Sequence, residues 1–254
     1  LFRPDQNLRR RGMTSPVATL KNRDVSYIDA LLLDTLGRLK VVPSTTFQGI
    51  PHDDIRVWCH KHAIYGLVTT ELVDWLKDRI GQRSAIEIGS GNGCLGRALD
   101  IPHTDSYIQA DPAIQALYAM QGQPTVTYGK SVEKLEAIDA VRKYRPQVVV
   151  GMWVTQYVAP EDPLPVGGGS IYGIKEREIL RSPGLEEYIV VGSHSVHGTK
   201  DILLNPPTGW SCKLFKPPGL RSRAADPMGN TIYVFTKGSS GSDMNRVDGG
   251  GENS

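Results

Sequence analysis

Ser84-Ala-Ile-Glu-Ile-Gly-Ser-Gly-Asn-Gly-Cys-Leu-Gly96 is an apolar strand that runs straight into a glycine cluster and then into a helix-like segment. Few folds accommodate such a stretch. Glu87 is the last charged group on the strand, and Gly89, Gly91 and Gly93 let the backbone turn tightly and approach a bound group where a Cβ would clash. Amides at the start of the following helix can then meet polar ligand atoms. The stretch reads as a nucleotide cradle at the end of the first strand of a sheet.

Behind the cradle the chain alternates strand and helix, which predicts a parallel sheet covered on both faces. Ser106 to Ala110 is the expected second strand, ending at Asp111-Pro112, with a helix over Ala113 to Met120. Pro124 to Tyr128 is the expected third, followed by Gly129-Lys-Ser131 and a helix from Val132 to Tyr144. Gln147 to Met152 and Glu187 to Gly192 are the fourth and fifth strands, joined by a long connection that turns helical over Ile174 to Leu180. Trp210 to Phe215 and Asn230 to Lys237 read as an antiparallel pair, linked by turn signals at Pro217-Pro-Gly219 and Asp226-Pro-Met-Gly229. The expected fold class is α/β: a Rossmann-like three-layer sandwich, a mostly parallel sheet with C-terminal antiparallel strands, preceded by N-terminal helices.

Upstream of the cradle, Ile28, Leu31, Leu32, Leu36 and Leu39 recur at helical spacing and predict an amphipathic helix over Asp24 to Lys40. A second short helix is expected from Asp53 to His62. A third, capped by Thr69 or Thr70 and stopped by Gly81, buries Leu72, Val73, Leu76 and Ile80. The organisation predicted is a basic, disordered extension over residues 1–23, a helical segment packed on the core over 24–64, the main domain over 65–237 and a disordered tail over 238–254. Arg3, Arg9, Arg10 and Arg11 make the first stretch basic, and Met13 is a candidate natural start.

Of the 254 residues, 39% are hydrophobic and 22% charged, and the net charge is +2, so no global bias demands a nucleic-acid or membrane partner. The most apolar run, Gln147 to Val154, is far shorter than the roughly 18 residues of a spanning helix. Cys59, Cys94 and Cys212 lie far apart with no CxxC pair, which fits a reducing cytoplasm. His52, His60 and His62 have no cysteine or carboxylate pattern beside them, so no metal site is expected.

The pattern from Tyr65 to Lys237 resembles the class I S-adenosylmethionine-dependent methyltransferases. Their acidic residue followed by alternating glycines stands here as Glu87-Ile-Gly89-Ser-Gly91-Asn-Gly93, and Asp111 occupies the place of the acidic residue that ends their second strand and accepts hydrogen bonds from both ribose hydroxyls. The resemblance implies that Gly89 and Gly91, with Asn92 and Gly93 completing the loop, approach the methionine and ribose portions of S-adenosylmethionine, while Glu87 orders the loop. Ser131 matches the position that meets the adenine edge, where the family most often carries an acidic residue. Met152 and Trp153 match the lining of the cofactor and substrate pocket, and Tyr65 to Thr69 the segment that folds over the cofactor.

A rival register hides in the same residues. Gly91-Asn-Gly93-Cys-Leu-Gly96 satisfies GxGxxG, with Asp111 about 20 residues further on, the fingerprint of a dinucleotide such as NAD. Gly89 at the strand end and the antiparallel tail favour S-adenosylmethionine. A methyltransferase with an unidentified acceptor, a small molecule ahead of a macromolecule, is therefore the leading expectation, followed by a non-catalytic S-adenosylmethionine-binding regulatory or interaction protein and then an NAD-dependent oxidoreductase. His194 and His197 after the fifth strand, and Tyr157 and Asp162 after the fourth, are the candidate catalytic groups. Asn205-Pro-Pro207 lies too far from the fourth strand for an amino-directed nucleic-acid methyltransferase motif and reads as a turn. Lys213, Lys216, Arg221 and Arg223 form a basic stretch able to meet phosphate or a carboxylated substrate.

Overall fold

The structure, a computed structural model, describes residues 23–160 and 169–238; the expectations for the basic arm, for Met13, for the Gly/Ser-rich tail and for Asp162 lie outside these. In chain order, the first helical elements are α1 (Asp29–Leu32) and α2 (His52–Lys61), followed by β1 (Gly66–Leu67), α3 (Thr70–Ile80) and β2 (Ala85–Ile88). Next come α4 (Cys94–Leu99), β3 (His103–Asp105), α5 (Pro112–Met120), β4 (Glu133–Lys134), α6 (Ala137–Tyr144) and β5 (Val148–Met152). The remainder holds β6 (Gln156–Tyr157), β7 (Gly169–Ser170), α7 (Glu176–Leu180), β8 (Glu187–Ser193), α8 (His194–His197), α9 (Asp201–Leu204), β9 (Trp210–Phe215), β10 (Arg221–Ser222) and β11 (Asn230–Lys237).

Seven strands form the central sheet in the order β4-β3-β2-β5-β8-β11-β9. β11 is antiparallel to both its neighbours, and every other pair is parallel. Counting only these strands in chain order, the arrangement is 3-2-1-4-5-7-6: a doubly wound sheet whose last strand inserts, reversed, before the sixth. The dinucleotide-binding order 3-2-1-4-5-6 has no such insertion.

Alternation along the strands makes two cores. Val148 and Val150 of β5, Ile189 and Val191 of β8, and Ile232 and Val234 of β11 face one side, where they join α3 and the N-terminal residues Val25, Ile28, Leu32 and Trp58. Val149, Tyr188, Val190, Tyr233 and Phe235 face the other, against Ala140 and Val141 of α6 and Ile179 and Leu180 of α7. Each fully buried Val or Ile contributes about 1.5–3 kcal/mol, which is why the two-sided β5 and β8 anchor the sheet. Thr69 caps α3 by accepting from Leu72 N at 3.2 Å, and Gly81 stops it with φ +60°. No helix among the described residues is long and apolar enough to cross a membrane.

Three expected elements fall elsewhere. The second strand is His103–Asp105, not Ser106 to Ala110: the Asp105 carboxylate accepts from Tyr107 N at 3.0 Å, Tyr107 takes φ +61°, and the chain turns out of the sheet. The third is Glu133–Lys134, not Pro124 to Tyr128. That earlier segment is held by side chains instead: Val126 N donates to Gln109 Oε1 at 2.9 Å and the Tyr128 ring stacks on Tyr107 at 3.9 Å. The helix expected over Asp24 to Lys40 ends at Leu32, because Asp34 accepts from the Leu36 and Arg38 amides and Gly37 turns the chain so that Leu39 pairs back with Leu33.

Candidate cofactor-binding site

β2 delivers the chain into the glycine loop at the point where the sheet order reverses, with β3 on one side and β5 on the other. Gly89, Gly91 and Gly93 take φ values of +60°, +54° and +70°, the left-handed region where a side chain is strained. Polar bonds fix the turn. Ser90 N donates to Thr104 O at 3.0 Å, Gly91 N to Asp105 Oδ2 at 2.9 Å and Cys94 N to Asn92 Oδ1 at 2.9 Å. Behind the loop, Glu87 is buried and accepts from Gly96 N at 2.8 Å. Gly96 is required there for space, since a Cβ would overlap the His103 ring and stand 2.8 Å from the Glu87 carboxylate.

Two carboxyl groups sit at this end. Burial pushes Glu87 up to about 8, with the charge of Asp105 adding to the rise and the Gly96 amide and Arg97 opposing it. Asp105 is also raised by burial, against the pull of the Gly91, Tyr107 and Ser106 amides. Glu87 thus carries its proton at neutral pH and serves as a hydrogen-bonded brace.

The loop opens into a cleft of 530 Å³, within the range of small-ligand pockets. Gly89, Ser90, Gly91 and Asn92 form one wall, continued by Asp105, Ser106, Ile108 and Gln109 beyond β3. Ile114, Leu117 and Tyr118 of α5, with Val126 and Tyr128, make the apolar side. Met152, Trp153, Val154 and Thr155 line the end of β5, and Tyr65, Gly66 and Arg223 close the remaining edge. Tyr65 reaches across the cleft, its hydroxyl accepting from Gln109 Nε2 at 3.4 Å, while Arg223 lies 3.5 Å over its ring. Trp153 holds a left-handed φ of +60°, its N–H donating to Val191 O at 2.8 Å and its ring meeting the His197 ring edge-on at 5.2 Å.

Of the residues singled out in the sequence, Glu87, Gly89, Gly91, Asn92, Met152 and Trp153 line this cleft. Gly93 does not; it precedes α4 and packs against Val132. Asp111 is displaced from the role expected of it. It is exposed and caps α5, Oδ1 accepting from Ala113 N at 2.8 Å, and the carboxylate that ends the second strand inside the cleft is Asp105. The dinucleotide register, which needs Asp111 on a ribose, loses its partner by the same displacement. Ser131 faces away, its hydroxyl 2.8 Å from His103 Nε2, because the true third strand begins after it.

The three candidate catalytic groups that are described, His194, His197 and Tyr157, also lie off the cleft. His194 is exposed, with Nδ1 3.3 Å from the Tyr233 hydroxyl, and Tyr157 is 40% exposed beneath Lys175. His197 is fully buried behind Trp153; burial first, then the charge of Lys200, pushes it down to about 3, so its ring is neutral and Nδ1 accepts from Ser193 N at 3.0 Å. Lys200 itself is buried against Glu176, Nζ to Oε1 at 2.7 Å, and the Tyr188 hydroxyl donates to the same oxygen at 2.8 Å. Among the described residues no group of three or more His, Cys, Asp or Glu side chains could hold a metal ion; His52 meets Ala224 O and His62 stacks on Trp58. Tyr65 and Arg223, named in the sequence as part of a covering segment and of a basic stretch, both line the cleft, whereas Asp105, Tyr118 and Tyr128 were not singled out, and of these only Asp105 had a readable signal, a carboxylate shortly after Pro102 at the start of a polar turn.

No family model matches the chain, and no curated protein matches it. Solved structures similar to it include a ribosomal protein L11 methylase from Lactobacillus delbrueckii subsp. bulgaricus, 12% identical, covering 66% of this chain and 79% of that one at a TM-score of 0.34. The Mtq2–Trm112 complex of E. cuniculi, described as responsible for methylating the eRF1 termination factor, is 15% identical and covers 66% of this chain and 92% of that one at 0.35. The 23S rRNA methyltransferase ErmE is 11% identical, with 67% and 68% covered at 0.33. At these scores the likenesses add nothing on substrate or activity, and the fold rests on the sheet itself. With its 3-2-1-4-5-7-6 order, its reversed seventh strand and its glycine loop after the first strand, the chain has a Rossmann-like α/β fold, a mostly parallel sheet with C-terminal antiparallel strands.

Proposed function

We propose that this protein is an S-adenosylmethionine-dependent methyltransferase. One observation carries the reading: the left-handed Gly89–Gly91 turn and the Asp105 carboxylate converge on one cleft at the switch point of a seven-stranded sheet with an inserted antiparallel strand. The residues fit the cofactor. Gly89 and Gly91 leave room for close approach, Asp105 takes the ribose-binding place that the resemblance assigns to the end of the second strand, and Ile108, Val126 and Leu117 offer an apolar slot for a planar base. Glu87 holds the loop through Gly96 N. When bound, S-adenosylmethionine supplies an electrophilic methyl group, and the protein's task is to align an acceptor with it and exclude water.

No His, Lys or Cys lines the cleft among the described residues, and burial pushes the Tyr118 and Tyr128 hydroxyls well above the ordinary phenol range, so neither phenol is a base near neutral pH. An acceptor that is already nucleophilic suits such a site. A small-molecule acceptor belongs to the same proposal, supported by the aromatic enclosure of Tyr65, Trp153 and Tyr172 around the cleft.

Calorimetric titration with S-adenosylhomocysteine and with NAD tests the reading. Binding of the first in the range of about 1–100 μM without binding of NAD is the expected result. Absence of S-adenosylhomocysteine binding would overturn it. Labelled methyl transfer to a small-molecule panel then separates an enzyme from a binding protein.

A further inference from the structure

We propose that Arg223 is the acid-recognition residue of the acceptor subsite, so that the methyl acceptor is a small molecule bearing a carboxylate or phosphate group. This rests on the methyltransferase reading and specifies its substrate class. Arg223 enters the cleft from the short ribbon in which β1 pairs with β10, Gly66 opposite Ser222 and Leu67 opposite Arg221, and its own N–H donates to Tyr65 O at 3.0 Å. The ribbon stands on a different wall from Asp105 and the glycine loop.

The guanidinium has a stacking partner and lacks an anionic one. Its carbon lies 3.5 Å over the Tyr65 ring, and among the described residues no carboxylate pairs with it. Arg23, Arg79 and Arg177, by contrast, each hold an Asp or Glu. Stacking occupies the face of the guanidinium and leaves its in-plane N–H donors free, the edge that receives a carboxylate or phosphate two bonds at a time. A cation half-buried among aromatic side chains without a counter-charge is costly, and an incoming oxyanion removes that cost.

Charge balance across the cleft points the same way. S-adenosylmethionine, when bound, would bring a sulfonium and an ammonium with a single carboxylate, a net positive charge that the Asp105 end would attract. An acceptor with an acidic group is drawn to the Arg223 wall, which places its remaining atoms beside the adjoining Tyr65 and Trp153 rings, whose centroids are 6.3 Å apart.

The full chain saturated with S-adenosylhomocysteine is titrated calorimetrically with benzoate, inorganic pyrophosphate and neutral benzamide, alongside Arg223→Met and Arg223→Lys. Expected are millimolar or tighter binding of at least one anion by the parent, a loss of about tenfold or more in Arg223→Met, partial retention in Arg223→Lys, and no binding of benzamide. S-adenosylhomocysteine affinity should be unchanged by either substitution. The proposal is overturned if neither anion binds the parent, if Arg223→Met binds the anion as well as the parent does, or if Arg223→Met loses S-adenosylhomocysteine affinity, which would assign the guanidinium to the cofactor's own carboxylate. Failure of the parent to bind S-adenosylhomocysteine would strike the methyltransferase reading instead, and the anion titrations on the free protein would still decide the role of Arg223.

Discussion

Glu87→Gln should abolish the pH dependence that the buried carboxyl imposes on folding. Below pH 4.5, the ordinary value of the group, Glu87 is protonated in both folded and unfolded chains and contributes no pH dependence. Between that value and about 8 the unfolded chain releases a proton that the folded chain keeps, so folded stability falls as pH rises, by up to about 1.4 kcal/mol per pH unit. Over the full interval from 4.5 to about 8 the loss reaches about 5 kcal/mol, and above it the curve flattens. Glutamine keeps an oxygen to accept from Gly96 N and has no proton to lose. Urea unfolding of both proteins without ligand at pH 5, 6, 7 and 8 reads the difference directly, and groups common to the two cancel. Glu87→Gln should match the parent near pH 5 and exceed it by several kcal/mol at pH 8. In an Asp105→Asn background the gap should shrink, because one of the causes that raises Glu87 is gone. A parent-to-variant difference that stays constant within about 0.5 kcal/mol across this range would refute the reasoning and show Glu87 to be ionised in the fold.

Asp105→Asn and Asp111→Ala should separate the two carboxylates. The first should weaken S-adenosylhomocysteine binding by about 1–3 kcal/mol in calorimetry, and the second should leave binding intact while costing about 1 kcal/mol of urea stability as the cap of α5 is lost; loss of binding in Asp111→Ala alone would return that residue to the site. Lys200→Met should cost about 3–5 kcal/mol by stranding the buried Glu176 carboxylate, and adding Glu176→Gln should recover most of it. Equal stability of the single and double variants in chemical denaturation would mean that the pair is not coupled.

β5, β8, β9 and β11 were readable because each is a run of apolar or alternating residues long enough to stand out, and Trp210–Phe215 and Asn230–Lys237 have the bounds that the pattern predicts. The glycine loop was readable because only glycine fits its three left-handed positions. β3 and β4 were not, since they are three and two residues long, lie at one side of the sheet and carry His103, Asp105, Glu133 and Lys134. The more apolar Tyr107-Ile108 and Val126 competed for those places in the pattern, while Ile108 and Val126 fold as cleft lining and Tyr107 stacks on Tyr128. That displacement carried the acidic assignment from Asp105 to Asp111. His194 and His197 follow β8 as expected, but the single turn of α8 carries one to the surface and the other behind Trp153, a direction that no local pattern encodes. Arg223 joins Tyr65 only through pairing between distant segments.

The β1–β10 ribbon also sets an order of assembly. Gly66 and Ser222 are separated by more than half the chain, so their pairing closes a long loop and gains little until the sheet between them is in place. β11, which lies between β8 and β9, comes later still in the chain. A nascent chain emerging from the ribosome can form the glycine turn early, but the Tyr65–Arg223 edge of the cleft must wait for the last strands. Ligand binding is then a report on completed folding, and a chain stalled before Arg221 carries the turn without the wall that closes it.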